Sequence, residues 1–155
     1  MIGLDVETTG LSPWEGRVSL IQAAAAGRPT ALIDAFAVDP SPFLHVLDGA
    51  GEAIVAHNAN FEEMWMREWG FDWRLEDTMV MSRVLYSGTE DAKKTRHSLA
   101  DVVERELGFR LPKEEQTSDW SRRPLTPVNS NMPLETRRYS RSWRRTYGGN
   151  WIARG

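Results

Sequence analysis

Two acidic residues near the start of the chain, Asp5 and Glu7, have a type and spacing that indicate chemistry. They stand in the segment IGLDVETT, whose apolar start predicts a buried strand. Side chains two apart on a strand leave the same face, so the two carboxylates would repel each other unless a cation lay between them. Oxygen-only ligands favour hard cations such as Mg²⁺ or Mn²⁺. Spacing alone leaves a second interpretation open, in which one acid faces solvent just beyond the strand.

A third acid, Glu62, lies in the stretch HNANFEE that follows the apolar segment EAIVAH. It falls in the first turn of a predicted helix, and such an acid standing alone is typical of a solvated helix surface. His57 and Asn58 at the strand end could bond a ligand. A histidine in that place more commonly bonds to local backbone groups.

The elements that must position these residues follow from the hydrophobic pattern and from turn signals. Four segments are predicted to be strands, the middle two forming a hairpin around the turn at 27–29: residues 1–6, 17–24, 30–35 and 52–57. Four segments are predicted to be helices: residues 41–47, 60–69, 78–86 and 98–107. This order predicts a mixed α/β domain that contains an antiparallel hairpin.

Aromatic side chains recur four apart on the second predicted helix, at Phe61, Trp65 and Trp69. Such a stripe is typical of a helix face that packs against a sheet. We therefore expect both tryptophans to belong to the core and not to be platforms for stacking bases.

Composition restricts the class of protein. The chain has 155 residues, of which 41% are hydrophobic and 26% charged, as expected for one globular domain. It has no cysteine, which excludes disulfide scaffolds, thiolate zinc sites and cysteine nucleophiles. The longest apolar stretch, LIQAAAA, is well short of the roughly 20 residues of a membrane span, and the first residues do not resemble a signal peptide. These features predict a cytoplasmic protein without a membrane partner.

Five segments in order resemble the DEDD superfamily of 3′–5′ exonucleases, especially the ribonuclease D type and the proofreading domain of family A DNA polymerases. They are LDVETTGL, AHNANFEEMWM, EDTMVMSRVLY, HSLADVVERELG and KEEQTSDWSRRPLTP, within residues 1–127. The resemblance implies a ribonuclease H-like fold, with a mixed five-stranded sheet flanked by helices. It also implies hydrolysis of terminal phosphodiesters at single-stranded DNA or RNA 3′ ends, with two Mg²⁺ or Mn²⁺ ions per site. A larger polymerase, of which the domain was once a part, is a further implication.

The same resemblance assigns roles to individual residues. Asp5 would bridge both ions, and Glu7 would hold one ion and orient the attacking water. Glu62 stands where the family has an aspartate, so its carboxylate lies one methylene further from the backbone. The substrate-binding residues expected from the resemblance and from the strand end are Thr9, Gly10, Leu11 and Asn58.

Residues 128–155 depart from the family pattern. The family has a tyrosine followed four residues later by an aspartate, whereas Tyr139 is followed by none and no aspartate occurs after Asp119. The segment holds six arginines and one acid, Glu135, and has no apolar periodicity. One hypothesis makes it a basic arm of a non-catalytic nucleic-acid-binding module.

The other hypothesis, which we favour, is a shifted reading frame. Back-translation of residues 128–155 with permissive codons, read two bases later, permits EQQYAAGDASILTELEANLRRQLDREG. One residue inserted before this string places its tyrosine and aspartate at the family's spacing, and the remainder has a helical pattern. The expected organisation is then an exonuclease-like domain at 1–127 that lacks its third motif, an out-of-frame tail at 128–155, and impaired activity.

Overall fold

Five strands form one mixed sheet in the computed structural model, which describes residues 1–108, 110–111 and 123. They are β1 (Ile2–Thr8), β2 (Val18–Ala25), β3 (Ala31–Asp34), β4 (Ile54–Ala56) and β5 (Glu76–Asp77). The strand order is β3-β2-β1-β4-β5. The pair β1–β2 and the pair β2–β3 are antiparallel, whereas β4 runs parallel to both β1 and β5. The predicted five-stranded mixed sheet with an antiparallel hairpin is confirmed.

Helices follow most of the predicted segments within the described part of the chain. They are α1 (Ser41–Asp48), α2 (Asn60–Met66), α3 (Thr78–Tyr86) and α4 (Leu99–Leu107), with a 3-10 turn at Arg67–Trp69. No helix in the described residues is long and apolar enough to cross a membrane. The α4 helix begins as predicted, because the Ser98 side chain accepts a hydrogen bond from the Asp101 N–H.

The α1 helix begins at Ser41, the start of the predicted segment, with Pro40 at its N-cap, and the Ser41 hydroxyl donates to Asp39 over 2.7 Å. The end of the second predicted helix differs. The α2 helix ends at Met66, and the chain then tightens into the 3-10 turn. Gly70 closes that turn with φ of +81°, in the left-handed region that glycine occupies without strain.

Two strands also differ. The β4 strand is three residues long, shorter than the predicted 52–57, and β5 was not predicted from the pattern at all. Its two residues, Glu76 and Asp77, carry no alternation of polar and apolar side chains from which a strand could be predicted.

The core lies on one face of the sheet, beneath α1 and α2. Leu4 and Val6 of β1 belong to it. Trp65 is 2% exposed within this core, and Trp69 is partly buried against it. The predicted core role of the aromatic stripe is confirmed. Further buried members from other elements are Ile21, Ala23, Leu44, Leu47 and Met66.

The three parallel strands end at the same edge of the sheet. The β4 strand pairs with β1 only through Ile54 with Ile2 and Val55 with Gly3. The chain therefore leaves β4 near the level of Asp5, in the middle of the longer β1 strand. Because loops after parallel strands meet at their carboxyl ends, this edge is where residues from separate segments can form a site.

Candidate active site

Asp5 and Glu7 lie on the face of β1 opposite Leu4 and Val6, as their spacing predicts. Asp5 is in register with Gln22 of β2, whose Nε2 donates to the Asp5 Oδ2 over 3.3 Å. Burial raises the pKa of the Asp5 carboxyl to about 6, although a backbone hydrogen bond at Val6 acts in the opposite direction. Asp5 therefore ionises less readily than an exposed aspartate.

Glu62 lies near these two acids although it comes from a different element. It is 4% exposed in the first turn of α2, and its Oε2 makes no hydrogen bond. Burial is the main cause that raises the pKa of Glu62 to about 8, and the negative charge of Asp5 is the next, followed by Asp77 and Glu7. An acid whose pKa responds to three other carboxylates stands in a crowded anionic site.

Glu63, the neighbour of Glu62, has a different role. Its Oε1 accepts the Leu75 N–H over 2.9 Å, and its other oxygen lies 3.6 Å from the Arg67 guanidinium. Of the two adjacent glutamates, only Glu62 belongs to the acidic cluster. Glu63 instead fastens α2 to the chain segment that leads into β5.

Asp77, at the end of β5, was not predicted as a site residue. Its carboxylate accepts backbone N–H groups from the start of α3 and from the loop between β4 and α2. The sequence signal was present in the dipeptide Asp77–Thr78 before an apolar helical run, since aspartate is a preferred N-cap. Gln22 was also missed, although it is the one polar residue in the apolar run LIQAAAA.

His57 is hydrogen-bonded within the protein, but its partners are a carbonyl and a hydroxyl that are distant in sequence, and not the local backbone groups that were expected. Its Nε2 lies 3.0 Å from the His97 carbonyl oxygen and its Nδ1 lies 2.8 Å from the Thr78 hydroxyl. Because a carbonyl only accepts, Nε2 carries the proton and Nδ1 of the neutral ring accepts from Thr78. Burial is the main cause that lowers the pKa of His57. Asn58, next to it, is exposed with φ of +67°.

Three of the four residues predicted to bind substrate, Thr9, Gly10 and Leu11, lie in the loop after β1, whereas Asn58 lies between β4 and α2. The Thr9 N–H donates to the Arg17 carbonyl over 3.0 Å, and the Arg17 N–H donates back to the Thr9 hydroxyl over 3.0 Å. These two bonds close the base of the loop between β1 and β2, which we call the Thr9–Arg17 neck. Gly10 and Gly16 lie in contact there, where a Cβ on Gly16 would be 2.5 Å from the Gly10 nitrogen. Leu11, in the loop beyond this neck, is 82% exposed.

A cavity of about 630 Å³ lies away from the acidic cluster. Its lining residues include Trp65, Trp69, Arg17 and Phe36. They include none of the acids of the cluster, which are Asp5, Glu7, Glu62 and Asp77. The chemistry of the acids, not the volume of this cavity, identifies the candidate site.

The donor set of the acidic cluster fits a divalent cation in its chemistry. All of its potential metal ligands are carboxylate oxygens. The buried Glu62 Oε2 accepts no hydrogen bond, and a bound cation would supply the partner that this oxygen lacks. In the part of the chain that the structure describes, however, no three Asp, Glu or His side chains converge closely enough to hold an ion. The third-motif prediction around Tyr139 and the tail at 128–155 lie outside the described residues.

The family described as 3′–5′ exonuclease, of the DNA polymerase A type, matches residues 1–131. DNA polymerase I of Aquifex aeolicus is 35% identical over 119 residues, which cover 76% of this chain and 18% of that protein. The chain thus spans less than a fifth of this relative's length.

Solved nucleases share the fold. Brucella melitensis NrnC superposes with a TM-score of 0.77 at 19% identity, covering 93% of this chain and 70% of that one. Escherichia coli RNase D gives a TM-score of 0.73 at 23% identity, covering 97% of this chain and 40% of that one. The mixed sheet, the carboxylates at its parallel edge and the family match over 131 residues agree, and the chain belongs to the 3′–5′ exonuclease family.

Proposed function

We propose that this domain hydrolyses the terminal phosphodiester at the 3′ end of a single strand of DNA or RNA, with two Mg²⁺ or Mn²⁺ ions per site, and that this activity is impaired in the present chain, which lacks the third motif. The observation that carries the proposal is the position of Glu62, which is buried, lacks a hydrogen bond at Oε2 and responds electrostatically to Asp5, Asp77 and Glu7. Structures of NrnC with Mg²⁺ and with pGG, both at a TM-score of 0.76, support a cation and a nucleic-acid ligand on this fold.

Asp5, Glu7 and Glu62 would hold the cations in this proposal. A bound divalent ion would lower the pKa of a coordinated water and stabilise the charge that develops on the phosphate. Glu62 retains its proton at neutral pH in the metal-free protein, because its pKa is about 8, so it must release that proton on binding. Leu11, held outward by the Thr9–Arg17 neck, and Asn58 at the end of β4 would contact the terminal nucleotide.

Calorimetric titration of Mn²⁺ into the wild type and Asp5→Ala tests the metal site. We expect weak binding that Asp5→Ala removes, since this change deletes a central ligand and leaves the rest of the cluster in place. Glu90→Ala is the matched control, because it removes an exposed acid from another part of the chain. Equal binding by the wild type and Asp5→Ala would refute the proposed site.

A further inference from the structure

One carboxylate joins two segments that are distant in sequence at the edge of the site. The Asp77 Oδ1 accepts the N–H groups of Met79 and Val80 over 2.8 and 3.2 Å, which caps the start of α3. The same oxygen accepts the Asn58 N–H over 3.1 Å, and Oδ2 accepts the Ala59 N–H over 3.0 Å. Asp77 therefore serves both the helix that follows it and the loop that precedes α2.

Capping α3 requires only one of the two carboxylate oxygens of Asp77, namely Oδ1. A single side-chain oxygen satisfies the first N–H groups of a helix, and serine does this about as well as aspartate. Among the described residues, the second oxygen of Asp77 accepts a hydrogen bond only from Ala59, which lies in the loop between β4 and α2. This bond is therefore separable from the cap.

The loop that Asp77 holds determines where α2 begins. Asn58 has φ of +67°, in the left-handed region, and is the only non-glycine residue with positive φ in the described part of the chain. Its carbonyl accepts the Phe61 N–H over 3.0 Å, and the Ala59 carbonyl accepts the Glu63 N–H over 2.9 Å. The first turn of α2, which carries Glu62, is thus hydrogen-bonded to Asn58 and Ala59, the two residues whose N–H groups Asp77 accepts.

We propose that Asp77 is a positioning residue, whose hydrogen bonds to the Asn58 and Ala59 amides fix the start of α2 and so determine the position of Glu62 relative to Asp5 and Glu7. It acts through the backbone and does not itself need to touch a cation or substrate. This inference rests on the proposed metal-dependent function.

Asp77→Ser separates the two roles of this residue in the full chain. The serine hydroxyl can cap α3, but serine lacks the second oxygen that accepts the Ala59 N–H. Its single oxygen also lies one bond closer to the backbone than the Oδ1 that accepts the Asn58 N–H, so we expect both bonds to the 58–59 loop to be lost. Ser98→Ala is the control for loss of a helix cap, because Ser98 caps a different helix, α4, by accepting the Asp101 N–H. Glu76→Gln is the control for loss of one negative charge, because Glu76 is the exposed neighbour of Asp77.

Two quantities are measured in each variant: amide hydrogen exchange at residues 58–63 without metal, and the Kd for Mn²⁺ by calorimetry. We expect Asp77→Ser to weaken Mn²⁺ binding by about tenfold, as the loss of a ligand-orienting partner commonly does. Exchange at Asn58 and Ala59 should accelerate by about tenfold as their acceptor is lost, while the amides of α3 stay protected. Ser98→Ala and Glu76→Gln should leave both quantities at the wild-type level.

Wild-type exchange at Asn58 and Ala59 in Asp77→Ser would overturn the inference. So would an equal loss of Mn²⁺ affinity in either control, because stability or charge alone would then explain the effect. A wild type that binds no Mn²⁺ would instead refute the proposed function, and this is seen before any variant is compared.

Discussion

At the scale of single residues, the ionised form of the acidic cluster is costly when no cation is bound. The pKa of Glu62 rises from 4.5 to about 8 and that of Asp5 from 3.8 to about 6, mainly because both are buried. A raised pKa means that the folded protein favours the protonated acid, and each tenfold gain in proton affinity corresponds to about 1.4 kcal/mol. Stability of the metal-free protein should therefore depend on pH.

We predict that the metal-free protein loses stability between pH 6.5 and 8.5. Through most of this range Glu62 is ionised in the unfolded chain but still protonated in the folded protein, where its pKa is about 8, so rising pH favours unfolding. His57, whose pKa is lowered from 6.5, acts in the opposite direction at the acid end of the range, where the unfolded chain still binds part of its proton, and this offsets a small part of the loss. Urea unfolding should show a loss on the order of 1–2 kcal/mol across this range.

Glu62→Gln is the matched variant for this pH dependence, because it keeps the shape of the side chain and removes its titration. Its unfolding free energy should change much less over the same range. A wild-type stability that is flat from pH 6.5 to 8.5, or equally steep in Glu62→Gln, would contradict the assignment of a protonated Glu62.

Residue types alone predicted only part of the site. The spacing of Asp5 and Glu7 placed both on one strand face because the strand period is regular. The residue pattern alone could not distinguish Glu62 from Glu63, since only the direction of α2 determines which of them is buried, and the choice of Glu62 rested on the family resemblance. Gln22 could not be matched to Asp5 without the register between β1 and β2.

At the scale of elements, α2 combines a core face with one buried acid, Glu62. Phe61 and Trp65 pack edge to face with their ring centroids 6.1 Å apart, and Trp65 is almost fully buried. The helical period predicted this face, because an apolar stripe on a short helix must be covered. It could not predict that α2 would end at Met66, since the 3-10 turn keeps Trp69 at the core.

We predict that Trp65→Ala destabilises the protein by about 3–5 kcal/mol, as expected when a buried tryptophan leaves a cavity. Affinity for a single strand, measured under conditions in which the variant is folded, should not change. Trp14→Ala is the control, because Trp14 is 96% exposed in the loop after β1 and its loss should cost less than about 0.5 kcal/mol. An unchanged melting temperature with weaker single-strand binding in Trp65→Ala would show that the helix face was assigned wrongly.

At the scale of the whole molecule, the main question of function concerns residues 128–155. The hairpin and a strand around β4 were predicted from the local pattern, but the fifth strand was expected only through the family resemblance, because β5 has two residues and shows no period. The described helix α3 leaves Val80, Val84 and Leu85 between 45% and 56% exposed. An additional amphipathic helix after the exonuclease-like domain would bury apolar surface that this chain exposes.

We predict that the 155-residue chain is at most feebly active, because it lacks the tyrosine and aspartate of the third motif. A version that ends in the restored-frame sequence, with its YAAGD, should melt at a higher temperature and release mononucleotides from a single strand. Both proteins are incubated with 3′-labelled DNA and RNA strands and Mn²⁺, and labelled mononucleotide is followed. Full activity of the present chain, undiminished by deletion of residues 128–155, would show that the third motif is dispensable and our interpretation of the tail wrong.

The sheet has a hairpin half, formed by β1, β2 and β3, and a parallel half, in which β4 pairs with β1 and β5. The two halves differ in their number of paired residues, and this difference has a consequence for the order of folding. Seven residue pairs join β1 to β2 and four join β2 to β3, all between segments close in sequence. Only two pairs join β1 to β4 and two join β4 to β5, and the first of these junctions closes a long loop. Because long loops are costly to close before their contacts form, we expect the hairpin half in the folding nucleus and the parallel half after the transition state. Asp5 and Glu7 belong to the early half and Glu62 to the late half, so a nascent or partly folded copy would not yet carry an assembled nuclease centre.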